Sequence, residues 1–260
     1  MIVLEKPIPK KLRVAVFDFD GTLSTLRAGW ERVMEPLMLE VLCPNGATEK
    51  DVRQVRDYIS ASTGIQTVLQ MKALCEMVRQ RGGTPLSPWE YKAEYNRRLM
   101  ENVALRRAEA RESGAERYLM RGAREFLCLL KERGVGLFAA SGTDEADVIS
   151  EAEILGLRDC FDGIAGAKPL SEDCSKEATL RRLIEENGSD GLLVVGDGPV
   201  EIRLGRAVSA ATLGIVGLEN EREGYDPVKV RRLTDAGAHL LVDCFKNAEE
   251  ILGLIEGEAK

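Results

Sequence analysis

A chain of 260 residues, 44% hydrophobic and 30% charged, is an ordinary globular composition with room for one large domain or two modest ones. Its net charge of −7 excludes the basic surface that nonspecific nucleic-acid binding needs. Six scattered cysteines (Cys43, Cys75, Cys128, Cys160, Cys174 and Cys244) show no C-x-x-C spacing, and a single histidine, His239, accompanies them, which argues against a zinc centre. No apolar run reaches the length of a membrane span and no secretory pattern opens the chain, so a cytoplasmic protein with reduced thiols is expected.

In chain order, Val14–Asp18 reads as the first core strand, stopped by Gly21. From about residue 27 to 120 the sequence is rich in Glu, Arg, Leu and Met. Apolar residues there recur at helical spacing, as in Val33, Leu37, Met38 and Val41 and again in Val68, Met71, Leu74, Cys75 and Val78. Pro44-Asn45-Gly46 and Gly82-Gly83-Thr84-Pro85 punctuate this all-helical stretch. From Gly122 onward helices and strands alternate: a helix over 122–133, a strand over Val135–Ala140, a helix over 144–155 and a short strand at Gly163–Gly166. A helix over 175–187, a strand over Leu192–Val195 and a helix over 200–209 come next. Strands near Thr212–Val216 and His239–Val242 precede a closing helix over 246–254. This alternation predicts a mostly parallel sheet with helices on both faces, and in such sheets sites form beyond the carboxyl ends of the strands.

Three of those strand ends carry polar groups. Asp18 and Asp20, two positions apart, fall on one side of an extended chain and repel each other unless a cation or a shared proton intervenes. Ser141-Gly142-Thr143 follows the second strand, and Gly196-Asp197-Gly198, with Glu201 four residues after Asp197, follows the central one. Lys168 or Lys176 precedes that central strand. Each piece alone is unremarkable, since Asp-Gly and Gly-Asp-Gly are common turns and Ser-Gly-Thr is a common helix start. Together and in this order they carry chemistry.

With these four motifs the chain resembles the haloacid-dehalogenase superfamily of hydrolases, in particular its phosphatase branch. The resemblance implies a Rossmann-like α/β core from residues 1–25 and 121–260, with an all-α cap domain over 26–120 inserted between the first two motifs. It also implies Mg²⁺ as cofactor and hydrolysis of a small phosphorylated, sugar-phosphate-like metabolite through an aspartyl-phosphate. Asp18 is then the nucleophile and Asp20 the acid/base. Asp18, Asp20 (through its main-chain carbonyl), Asp197 and Glu201 are the metal ligands, with Glu201 standing where many relatives carry an aspartate. Ser141, the Gly142 N–H and Thr22 are expected on the phosphoryl group, and Lys176, preferred over Lys168, as the bridging lysine. Arg27 and the loop Ser60–Thr67, with Gln66 or Thr63 reaching down, are candidates for substrate contact.

The residues rank the rivals. A phosphomutase of the beta-phosphoglucomutase type would use the same nucleophile and acid/base, and a catalytically idle binding protein would not need to keep all four motifs. Dehalogenation has no need of Asp20, a phosphonate-cleaving enzyme would need a cap lysine such as Lys72, and no G-x-G-x-x-G follows the first strand. Expected partners are a small phosphorylated metabolite, with no nucleic acid and no membrane, on a monomer or homodimer.

Overall fold

The alternation Val14-Ala15-Val16-Phe17 is apolar at every position, and this strand, β2 (Val14–Phe17), is buried on both faces. Ala15 and Phe17 enter the larger hydrophobic cluster with Phe19, Phe126, Leu137 and Phe245. Val14 and Val16 pack on the opposite face with Leu192, Val194 and Leu183. The computed structural model describes residues 1–257 apart from 9, 169–175, 189 and 220–223. Around β2 stand β1 (Ile2–Val3), β3 (Gly136–Asp144), β4 (Gly163–Ala167), β5 (Leu192–Gly196), β6 (Ala211–Ile215) and β7 (Leu240–Val242). They form one sheet in the order β1-β7-β6-β5-β2-β3-β4, parallel throughout except for β1 against β7. The chain thus has a Rossmann-like α/β fold with a mostly parallel sheet.

Residues 31–113, between β2 and β3, form four helices, α1 (Glu31–Leu42), α2 (Glu49–Ala61), α3 (Thr67–Gln80) and α4 (Pro88–Ser113). Two of them start on reciprocal caps: Thr48 with Asp51 at α2, and Ser87 with Glu90 at α4, where Pro88 takes the first helical position. Their apolar stripes meet in a separate cluster that includes Met34, Met38, Val55, Met71, Leu74 and Leu99. The remaining helices are α5 (Ala123–Glu132), α6 (Glu145–Ile154), α7 (Lys176–Asn187), α8 (Pro199–Ala207), α9 (Pro227–Asp235) and α10 (Ala248–Glu256). No helix among the described residues is long and apolar enough to cross a membrane.

Three elements differ from the sequence expectation, one of them α9 (Pro227–Asp235), which stands between two expected strands where no helix is expected. The strand expected to stop at Ala140 runs on to Asp144, with its pairing to β4 interrupted between Ala140 and Asp144. Ser141–Thr143 therefore stay extended rather than opening the next helix, and the Ser141 hydroxyl accepts the Thr143 N–H at 3.1 Å. The edge strand β1 is two residues long, too short to leave a periodic signal.

Candidate active site

The polar strand ends converge because β2 lies between β3 and β5. The Asp18 N–H still donates to the Val195 carbonyl at 2.8 Å, which aligns the end of β2 with that of β5. Asp18 is buried, and Thr22 Oγ1 donates to its Oδ2 at 3.1 Å. One carboxylate oxygen from each of Asp18, Asp197 and Glu201 lies within 4.8 Å of the other two, and all three residues are buried. Gly21 makes room for this approach: its φ of +77° suits glycine, and a Cβ there would stand 2.4 Å from Asp197 Oδ2. Glu201 is also set by its helix, as Oε1 accepts the Gly198 N–H at 2.7 Å at the start of α8. Three buried carboxylates are hard oxygen donors that repel one another, and with no imidazole or thiolate among them they fit Mg²⁺.

The Asp20 carboxylate belongs to a different neighbourhood. It turns to β3, where Oδ2 accepts from Thr143 Oγ1 at 2.8 Å and Ser141 Oγ at 3.2 Å. Its Oδ1 is buried without a hydrogen bond and lies 3.8 Å from Arg27 Nε. Burial pushes the Asp20 carboxyl up to about 6, with Glu151 adding to the rise, while Arg27 and the two hydroxyls pull against it.

Behind Asp20 sits an ion network that no local pattern announced. Glu151, fully buried on α6, accepts from Arg27 Nε at 3.0 Å and Nη2 at 2.8 Å. Arg107 of α4 reaches the same carboxylate with Nη2 at 2.5 Å and Nε at 3.1 Å, and Asp147 lies 3.2 Å from Arg27 and 3.0 Å from Arg107. Arg27, a candidate for substrate contact, is therefore committed to Glu151 and Asp147 and acts on Asp20 through its charge. In the sequence, Asp147 and Glu151 are one helical turn apart, which marks a shared face but not its burial.

A lysine also appears that sequence reasoning missed. Lys229, in the first turn of α9, is buried and donates to Asp197 Oδ2 and Glu219 Oε1, each at 2.7 Å. These two carboxylates hold its ammonium well above the usual lysine range against the opposing effect of burial. No element is expected around it from the sequence; in the structure Asp226 caps the start of α9, its side chain accepting the Val228 N–H at 2.8 Å. Nearby, Arg232 donates to the Asp197 carbonyl and to Thr63 Oγ1, both at 2.9 Å, and so ties the loop before α3 to the β5 end. Of the two lysines weighed from the sequence, Lys168 is exposed, and the Lys176 side chain lies outside the described residues.

Over the acids lies a cleft of about 80 Å³, walled on the far side by Trp30, Thr63–Ile65, Thr67, Gln70, Tyr95 and Leu99. Gly142 lets the helical layer come close, since a Cβ there would stand 2.6 Å from the Ile65 carbonyl oxygen. Gln66 is buried but is not on the cleft wall; Thr67 and Gln70 hold that side instead. A larger cavity of about 660 Å³ opens beside Arg106, Tyr118 and Asp243 but contains none of the clustered acids.

A family model described as haloacid dehalogenase-like hydrolase matches residues 12–209. Among solved structures the chain is similar to beta-phosphoglucomutase from Clostridium difficile, at 16% identity and a TM-score of 0.63, covering 95% of this chain and 98% of that one. It is similar to a predicted phosphoglycolate phosphatase from Haemophilus somnus at 17% identity and a TM-score of 0.61, covering 92% and 97%. A conserved haloacid dehalogenase-like protein of unknown function from Agrobacterium tumefaciens matches at 20% identity and 0.61, covering 96% and 100%. At these identities the structural likenesses speak to fold alone. No curated protein matches the chain.

Proposed function

The chain belongs to the haloacid dehalogenase-like hydrolases, and from that premise we propose that it is a Mg²⁺-dependent phosphatase acting on a small phosphorylated metabolite. The observation that carries this reading is the separation of the two leading acids. Asp18 is grouped with Asp197 and Glu201, whereas Asp20 is held apart on the β3 hydroxyls with its carboxyl pushed up to about 6. Two carboxylates in unlike environments can divide nucleophile and acid between them.

In this reading Asp18 attacks phosphorus while the ester oxygen leaves with a proton from Asp20, giving an aspartyl-phosphate. Water then attacks the phosphorus, Asp20 takes its proton, and phosphate departs with Asp18 regenerated. Asp18, the Asp20 carbonyl, Asp197 and Glu201 would hold the Mg²⁺, which when bound neutralises charge on phosphoryl oxygens and carboxylates. Lys229 keeps Asp197 in place from behind. Ser141, the Gly142 N–H and Lys176 are proposed for the phosphoryl oxygens, with Thr22 supporting Asp18. We read α1–α4, within residues 26–120, as a cap that excludes water and selects the leaving group.

The test is phosphate release from a broad phosphoester panel with Mg²⁺, with sugar phosphates also followed for isomerisation. Turnover should vanish in Asp18→Asn, and Asp197→Asn should raise the Mg²⁺ concentration needed for half-maximal rate at least about tenfold. A wild-type protein that releases no phosphate from any ester would sink the proposal. Isomerisation without net release would make it a mutase.

A further inference from the structure

Resting on the phosphatase reading, we infer that the alcohol released from the ester is small and carries no second anionic group, and that the Tyr95 hydroxyl binds a hydroxyl on it. The size follows from the cleft, whose roughly 80 Å³ must also admit part of the phosphoryl group.

The charge follows from the wall. Arg27 is the one cation among the described residues that line the cleft. Its guanidinium is engaged by Glu151 at 2.8 and 3.0 Å and by Asp147 at 3.2 Å. On the α4 side, Arg107 joins the same network, and Lys92 is bound to Asp144, which also accepts from Asn96. Trp30, Ile65 and Leu99 give the rest of the wall apolar surface, and Thr63, Thr67 and Gln70 give it polar groups without charge. Among the described residues that line the cleft, a carboxylate or second phosphate on the leaving group would therefore meet no uncommitted counter-charge, and it would stand close to Asp20. Such burial is severely unfavourable. The same wall opposes a mutase route, because returning the phosphoryl group from Asp18 to a sugar monophosphate passes through a bisphosphate.

Tyr95 supplies the polar recognition. It is 5% exposed, lines the cleft, and feels the charges of Arg27 and Asp20, so its phenol stands near the group that protonates the leaving oxygen. Its hydroxyl has no hydrogen-bond partner among the described residues. Burial keeps the phenol neutral, so it can both donate and accept. Unlike Asp20 Oδ1, this oxygen is not sealed from solvent, so a substrate hydroxyl beside the ester carbon can replace water on it.

The experiment compares kcat/KM of the wild-type protein with Mg²⁺ across two sets of esters. One set releases an uncharged alcohol (glycerol phosphate and erythritol phosphate); the other releases an alcohol that carries a second anionic group (phosphoglycolate, phosphoglycerate and fructose bisphosphate). The best substrate should release an uncharged alcohol and exceed every ester with a second anionic group by at least about 100-fold. A best substrate with a carboxylate or second phosphate overturns the inference. The best ester of an uncharged alcohol is then compared with its deoxy analogue in wild type and Tyr95→Phe. A wild-type preference of about tenfold should fall to about one in the variant; an unchanged preference overturns the assignment of Tyr95. If no ester at all is hydrolysed, p-nitrophenyl phosphate included, the phosphatase reading itself has failed and this inference falls with it.

Discussion

Replacing Glu151 with Gln keeps the side-chain shape and removes the wholly buried one of the two carboxylate charges that Arg27 and Arg107 share. Glu151 is wholly buried, and the two arginine side chains are 8% and 13% exposed. Breaking a buried ion pair from one side costs about 3–5 kcal/mol, because the remaining charge stays desolvated. Asp147 remains 3.2 Å from Arg27 and 3.0 Å from Arg107, and Asp20 lies 3.8 Å from Arg27, so part of the cost is offset. The expected loss is therefore at the lower end, about 3 kcal/mol, which lowers Tm by roughly 6–12 °C in a protein near this size. Thermal unfolding followed by circular dichroism measures it. Arg107→Met combined with Glu151→Gln should cost less than the sum of the two, since they remove the same contact. A drop in Tm under about 2 °C, or full additivity, would refute the claim that this network joins α4 to α6 through a buried charge. The variant also has a signature at the site. Glu151 helps to raise the Asp20 carboxyl, so its neutralisation moves that group to lower pH.

Three further outcomes are expected. If Asp20 donates the leaving-group proton from a carboxyl near 6, kcat/KM for alkyl phosphates falls as pH rises through about 6. p-Nitrophenyl phosphate, whose leaving oxygen needs no proton, should lack that limb, and Asp20→Asn should slow alkyl esters by about 10²–10⁴-fold more than the aryl ester; equal losses would contradict the role. Arg232→Met removes the link between Thr63 and the Asp197 carbonyl, so amide hydrogen exchange should quicken in residues 62–66 while β5 stays protected. Unchanged exchange there would show that the contact does not hold the loop. His239 accepts the Thr212 N–H at Nδ1 at 3.1 Å, and burial, then Arg206, lowers its pKa below the usual 6.5. The unfolded chain then binds the extra proton first, so this contribution to stability is whole above pH 6.5 and fades as pH falls towards the lowered value. Denaturant unfolding at pH 7.5 and 5.5 should show a smaller loss for His239→Gln than for wild type; the same loss in both would rule the group out.

Much of the site was legible in the chain because its signals are local. An apolar run ended by a glycine turn puts whatever polar residue follows at a strand end, and that places Asp18, Asp20, Ser141 and Asp197 without knowledge of any contact. The helix–strand alternation likewise implied a parallel sheet with those ends on one edge. Which neighbour each acid meets is not local. Asp18 joins Asp197 and Glu201, and Asp20 joins Ser141 and Thr143, only because β2 is seated between β5 and β3. Glu151 looks like a surface charge on an expected helix and Lys229 falls where no element is expected, and the burial of both is decided by what α6 and α9 pack against. Tyr95 is one of several aromatic residues at helical spacing in α4, and the docking of that helix over the sheet turns this one towards the acids. Period and turn chemistry belong to the sequence, because they depend on neighbours along the chain. Counter-charges and cleft walls belong to the tertiary structure, because their partners are far apart in sequence and meet only when the core closes.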